Sequence, residues 1–127
     1  MSATFHIPAG SRIQFGVPAQ PLPEGVRERV ARGLSSIPGI LEAHLPMCHV
    51  FGTMPEPAQV LVVVFGRGAD PNAAMPAIIE LVRTCVPQDS HLDVWPLYRN
   101  DPLVYTIRKV GCRLLAAEAK PWWKFWG

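Results

Sequence analysis

The sequence has little of what marks several classes of protein. Its formal net charge is only +2 over 127 residues, so it provides no electrostatic argument for nucleic-acid binding. Its three cysteines, Cys48, Cys85 and Cys112, lie far apart and form no CxxC pair. Neither a disulfide framework nor a dithiol redox motif is therefore indicated. The length fits one ordinary domain.

Long apolar runs are also lacking. The longest, Val60–Phe65, is too short to cross a bilayer. The first residues, MSATFHIPAG, contain no basic segment followed by an apolar run, so no signal peptide is indicated. We therefore expect a cytoplasmic protein whose cysteines are reduced and behave as small apolar side chains.

Signatures of catalysis and metal binding are absent from the sequence as well. The stretch HLPMCH contains His44, Cys48 and His49, but on a strand His49 would point away from the other two, so they cannot share a metal ion. The turn GRGAD lacks the Lys-Ser/Thr pair of a phosphate loop and the third glycine of a dinucleotide fingerprint. No GxSxG or HExxH motif occurs. We expect no catalytic residue, no metal and no cofactor, and hence no enzyme.

What the chain does have is a regular apolar pattern, and 49% of its residues are hydrophobic. Residues 11–17 and 40–50 alternate between apolar and polar, which predicts strands with one core-facing side. Residues 24–37 repeat apolar side chains at helical spacing. The run QVLVVVFG that begins at Gln59 is apolar throughout, which predicts a central strand covered on both faces.

The second half of the chain continues with a helix, a strand and a short helix. The first helix carries Pro76 in its first turn, the strand spans residues 91–98, and the short helix is capped by Asn100 or Asp101 and ends before Gly111. The order strand, helix, strand, strand, helix, strand predicts a ferredoxin-like α+β fold with a four-stranded antiparallel sheet. Two strand prolines, Pro46 and Pro96, fall in the second and fourth strands, which this fold places at the sheet edges.

Two stretches of the sequence resemble one known family. Residues 7–45 combine Ala9-Gly10 before the first strand, prolines at positions 18, 21 and 23 after it, and the motif IPGILEAHL after the first helix; residues 92–107 read LDVWPLYRNDPLVYTI. Both stretches are similar to the C-terminal domain of the enhanced serine sensitivity (SseB) proteins. The resemblance implies one domain over residues 1–118, a bacterial cytoplasmic setting and no catalytic motif. It does not explain the ending VGCRLL or the tail at residues 119–127.

One face of the predicted sheet is the first candidate contact surface. Strand alternation places six side chains on the face away from the helices: Arg12, Gln14, Glu42, His44, Asp93 and Trp95. Because the third strand is apolar on both sides, we expect the centre of this face to be covered by the last segment of the chain, by a second copy in a homodimer, or by another protein. A small-ligand site would use Arg12, His44 and Asp93. RNA recognition is disfavoured because Phe15 faces the core.

The tail AKPWWKFWG is the second candidate contact surface. It contains Trp122, Trp123, Phe125 and Trp126, interleaved with Lys120 and Lys124, and burial of each ring contributes roughly 1.5–3 kcal/mol. Three destinations remain open: the same domain or a second copy, a pocket on another protein, or a membrane interface. Co-sedimentation with liposomes of the full chain and of a version ending at Ala119 tests the third.

These observations predict a non-enzymatic protein-interaction module that binds through the open sheet face and the tail. The predicted partner-binding residues are the four tail aromatics and Trp95. The alternative is a small-molecule regulatory domain that binds an amino-acid-like ligand.

Overall fold

Six strands and three helices follow one another in the computed structural model, which describes residues 12–52, 54, 56–87 and 92–115. Their order and bounds are β1 (Ile13–Gly16), α1 (Glu24–Ser35), β2 (Ile40–His44), β3 (Met47–Val50), β4 (Ala58–Phe65), α2 (Pro71–Cys85), β5 (Asp93–Tyr98), α3 (Pro102–Val110) and β6 (Arg113–Leu115).

The sheet is built around β4. Strands β2 and β3 form one long strand interrupted at Leu45 and Pro46, and both halves pair antiparallel with β4. At the outer edge of this long strand, β1 pairs with β3 and β6 pairs with β2. Strand β5 pairs with β4 on its other side, in parallel orientation. The most apolar strand therefore lies at the centre of the sheet, as its composition predicts.

The α+β class is confirmed, but the strand order differs from the predicted ferredoxin-like arrangement. That fold would place the first predicted strand in the centre of the sheet, beside the third predicted strand, which corresponds to β4. In the structure, β1 instead lies at the edge and pairs with β3, which is part of the second predicted strand. The prediction used the order of elements along the chain, and this order is compatible with more than one pairing. Pro96 does lie in β5, for which the described residues show pairing on one side only, with β4. Pro46 instead lies in the break between β2 and β3, where the ladder is interrupted.

The helix ends follow local side-chain chemistry. Asp101 caps α3 by accepting a hydrogen bond from the Leu103 amide at 2.9 Å, and α3 ends at Gly111, whose φ is 81°. In α2, Asp70 is the cap and Pro71 opens the first turn. The helix therefore begins before the predicted start, and Pro76 lies inside it. Within the described residues, no helix combines the length and hydropathy that crossing a membrane requires.

Each face of the sheet carries its own apolar core. Helices α1 and α2 cover one face, where the predicted stripe of Val26, Val30 and Leu34 is buried. Helix α3 covers the other face, where Val104 and Ile107 pack into the second core. The centre of this second face was expected to be covered, and α3, a later part of the same chain, provides the cover.

Aspartate at either of two core-facing positions of β4, Val62 or Val63, should unfold the domain. Val62 belongs to the core beneath α3 and Val63 to the core beneath α1 and α2, and both are fully buried. An unpaired carboxylate at either position should cost more than about 4 kcal/mol, a large fraction of the roughly 5–15 kcal/mol by which a typical domain is stable. Thermal unfolding of Val62→Asp and Val63→Asp tests this. Val17→Asp is the control, because Val17 is 70% exposed and its replacement should be nearly neutral; native melting of both core variants would contradict the two-core arrangement.

Candidate functional site

An ionic cluster, buried at Glu42 and His44 and exposed at Arg108, lies between β2 and α3. Glu42 and His44 occupy alternate positions of β2, so both side chains point toward α3. Arg108 of α3 donates two hydrogen bonds to the Glu42 carboxylate, from Nε to Oε1 and from Nη2 to Oε2, each at 2.8 Å. His44 Nε2 lies 2.9 Å from Glu42 Oε1. The side chains of Glu42 and His44 are 5% and 0% exposed.

The pKa values in this cluster shift for identifiable reasons. The hydrogen bonds from Arg108 outweigh burial and lower the pKa of Glu42 from 4.5 to about 2. Burial lowers the pKa of His44, which outweighs its hydrogen bond to Glu42. Among the described residues, His44 Nδ1 has no hydrogen-bond partner. Protonation there would bury an unpaired N–H and add charge near Arg108 and Arg113, so the neutral imidazole is favoured.

This cluster is suited to anchoring α3 on the sheet. Both carboxylate oxygens of Glu42 accept hydrogen bonds from Arg108, and one also faces the His44 ring. Fork-shaped pairing of a guanidinium with a carboxylate fixes orientation as well as distance. A carboxylate with a strongly lowered pKa and both oxygens engaged is a poor proton acceptor. The geometry therefore indicates a structural role.

The structure does not bring the predicted small-ligand residues together. Arg12 is exposed at the start of β1, where its carbonyl accepts the Phe51 amide. His44 lies seven positions before Phe51 on the long strand, roughly 20 Å away. Asp93 lies across β4 from β2, opposite Val60. Arg12 also projects from the face opposite to that of His44, so one small ligand cannot contact all three.

The predicted partner residue Trp95 is buried. Only 3% of it is exposed, and its ring packs edge-to-face against Phe15 with centroids 6.1 Å apart. The prediction placed these two rings on opposite faces because it assumed a sheet with a single core. The other predicted partner residues, Trp122, Trp123, Phe125 and Trp126, lie outside the described residues.

A different surface exposes aromatic and basic side chains. Alternation along the β1–β3 ladder puts Arg12, Gln14, Met47, His49 and Phe51 on one side, and all five are exposed or half-buried. We call these five residues the aromatic face. The rings of His49 and Phe51 lie 4.2 Å apart between centroids, and the Arg12 guanidinium lies 5.3 Å from the Phe51 centroid. The two rings are in contact with their planes tilted by 42°, and the Arg12 distance fits a cation–π contact.

One hydrogen bond positions a side chain of the aromatic face, and the face contains a small depression. His49 Nε2 lies 3.1 Å from the Met54 carbonyl and donates a hydrogen bond to it. A shallow depression of about 170 Å³ is lined in part by Gln14, Met47, His49 and Pro57. Sequence reasoning correctly placed Arg12 and Gln14 at the surface but missed His49 and Phe51. Pairing the first strand with residues 47–50 would have revealed them.

The described residues contain no cluster suited to a metal ion, since no group of three or more His, Cys, Asp or Glu side chains converges there. Burial raises the pKa of the Cys48 thiol to about 12, and the pKa of Cys112 is also raised by burial. Thiols with raised pKa values stay protonated near neutral pH and are poor nucleophiles and metal ligands. These two cysteines therefore match the predicted role of small apolar side chains.

Comparison with known proteins found no match to this chain among family models, curated proteins or solved structures. The resemblance to the SseB C-terminal domain therefore remains a prediction from the sequence stretches that carry it.

Stability should fall as the pH falls, in two steps. Because the pKa of His44 is lowered in the folded state, folding becomes less favourable as the pH drops below 6.5, the ordinary pKa of histidine. The Glu42 contribution is complete above pH 4.5 and is lost between pH 4.5 and 2. Allowing for solvent screening at Arg108, the second step should amount to roughly 2–3 kcal/mol. Urea midpoints of the wild type from pH 7.5 to 2 measure both steps.

Glu42→Gln is the control for this pH dependence. It removes the titrating carboxylate but keeps a hydrogen-bond acceptor for Arg108. The variant should lose stability at pH 7.5 and should show a flatter profile below pH 4.5. A wild-type profile that is level from pH 7.5 to 4, or a Glu42→Gln profile that parallels the wild type below pH 4.5, would contradict the assigned role of the cluster.

Proposed function

We propose that this chain is a non-enzymatic protein-interaction module whose contact surface is the aromatic face. The observation that carries the proposal is the contact of Arg12, Phe51 and His49, in which the first two side chains are exposed and the third is held by a hydrogen bond to the Met54 carbonyl. Arginine, aromatic residues and methionine are the residue types enriched where proteins bind each other tightly. A surface that is already ordered loses less conformational entropy on binding.

The chemistry of the aromatic face indicates the kind of partner. The depression beside Met47 and Gln14 has room for an apolar side chain of modest size. Arg12 offers a guanidinium over the Phe51 ring, where it can pair with a carboxylate while keeping its contact with the ring. The fitting partner is a protein segment in which an apolar side chain is followed closely by an acidic one.

Other parts of the proposal rest on the sequence. The similarity to SseB C-terminal domains supports a bacterial cytoplasmic setting and carries no catalytic motif, and it rests on the stretches at residues 7–45 and 92–107. A homodimer, a tail contact with a protein and a tail contact with a membrane remain alternatives for the four tail aromatics. Nucleic acid is not proposed as a partner.

The small-molecule alternative receives less support from the geometry. Its three predicted residues, Arg12, His44 and Asp93, are spread over both faces of the sheet. Binding pockets usually combine apolar walls with a few converging polar groups, and His44 is fully buried beneath α3. Thermal-shift screening with amino acids tests this alternative, since a ligand that binds the folded state raises the melting temperature.

A charge reversal on the aromatic face should abolish partner binding. The test variant carries Arg12→Glu and Phe51→Ser, and the matched control carries Arg83→Glu and Tyr105→Ser on exposed positions of α2 and α3. Proteins captured from a bacterial lysate by the wild type are purified, and their affinities for the three chains are measured. We expect at least a tenfold loss for the test variant and less than a twofold change for the control.

Folding of all three chains is checked by their melting temperatures before affinities are compared. If every purified partner bound the test variant as tightly as the wild type, the aromatic face would not be the contact surface. If the control lost affinity equally, binding would depend on another surface, and the proposal would also be wrong.

A further inference from the structure

A second surface, away from the aromatic face, is shaped to receive an apolar segment. A groove of about 520 Å³ lies between the turn that joins α1 to β2 and the first half of α2. Ile37 and Gly39 contribute to one wall, and Ala69, Ala73 and Ala77 contribute to the other. We call this surface the α1/α2 groove. Its volume lies in the range of roughly 300–1,000 Å³ that is typical of binding clefts.

The walls of the α1/α2 groove are apolar and approach each other closely at one point. A Cβ atom added at Gly39 would lie only 2.8 Å from the Ala69 Cβ, so the turn and the segment just before α2 are in direct contact there. The charged residue of the groove is Asp70, whose Oδ1 caps α2 by accepting the Asn72 amide. An occupant with apolar rings and positive charge at its edges would therefore match this groove.

The course of β6 leads the chain toward the groove. Arg113 lies opposite His44, and Leu115 lies opposite Ala43, so the chain runs antiparallel to β2 toward the start of that strand. The residue before β2 is Gly39, which lines the groove. The aromatic face is at the opposite end of the long strand, so the chain runs away from it on leaving β6.

The chain beyond Leu115 is long enough to reach the groove. The distance along β2 from Ala43 back to Gly39 is roughly 13 Å. The six residues between Leu115 and Trp122 would span roughly 20 Å if extended. Pro121 cannot donate a ladder hydrogen bond and so limits any continued pairing with β2. The four aromatic residues follow directly, at positions 122, 123, 125 and 126.

We propose that the C-terminal segment of residues 120–126 docks into the α1/α2 groove of its own chain. The rings of Trp122, Trp123, Phe125 and Trp126 supply apolar surface for the alanine-rich walls. Lys120 and Lys124 stay at the rim, on the side of Asp70, where opposite charges favour the arrangement. This docking uses a surface other than the aromatic face, so it does not depend on the proposed function.

Two measurements on the full chain test the docking. Amide chemical shifts of the full chain are compared with those of a version ending at Ala119, and we expect the differences to concentrate at residues 36–39 and 69–77. Tryptophan fluorescence then reports on the tail, because three of the four tryptophans lie in it and Trp95 is buried. We expect acrylamide quenching to at least double in Ala77→Arg, which fills the groove with a long cationic side chain.

Thr84→Arg is the matched control, since Thr84 is an exposed residue of the same helix away from the groove. Its quenching should equal that of the wild type. Unchanged amide shifts at the groove, or equal quenching in Ala77→Arg and Thr84→Arg, would overturn the proposal. If Ala77→Arg did not fold, the amide-shift comparison alone would decide.

Two further outcomes distinguish other occupants. Sedimentation equilibrium of the full chain should give the monomer mass, and a dimer that dissociates on removal of residues 120–127 would assign the groove to the tail of a second copy. Tail tryptophans that become protected only on addition of phosphatidylglycerol vesicles would assign the tail to a membrane surface. Either result would overturn docking within one chain.

Discussion

The constraint on which this structure depends is an apolar strand without a polar face. Val60–Phe65 are all buried, and their side chains alternate between the two sides of the sheet. A strand of this kind is stable only when both sides are shielded from water. Helices α1 and α2 shield one side and α3 shields the other. This two-sided shielding explains why the sheet carries two separate cores.

The need to hold α3 on the second face explains the ionic cluster. A single short helix buries only two residues fully or nearly so, Val104 and Ile107. Glu42 and Arg108 add a directional contact that defines how the helix is oriented, at the expense of removing a carboxylate from water. His44 shares this site as a neutral ring. The most strongly perturbed acidic and basic groups of the described residues therefore serve the fold, which separates them from the exposed groups proposed for binding.

Much of the local structure was predictable from the sequence, whereas its assembly was not. The stripe of α1, the cap of α3 and the double-sided cover of β4 follow from periodicity and from side-chain chemistry close in sequence. The pairing of β1 with β3 depends on contacts between segments over thirty residues apart, which periodicity does not specify. That one pairing decides that Arg12 and His44 point to opposite faces and that Phe15 meets Trp95. An assumption of a single core therefore produced errors for the candidate site even though β1, β4 and β5 were predicted as strands.

The arrangement of the sheet also separates two surfaces with different chemistry. Because β1 and β6 share the outer edge of the long strand, one end exposes the β1–β3 ladder and the other directs the chain end toward α1 and α2. The first end presents a cation and two aromatic rings in contact, which suit a partner with mixed apolar and acidic groups. The second presents an apolar groove with an acidic residue in it, which suits the aromatic and basic composition of the tail. Complementarity of charge thus favours the tail for the groove over the aromatic face, where its lysines would meet Arg12.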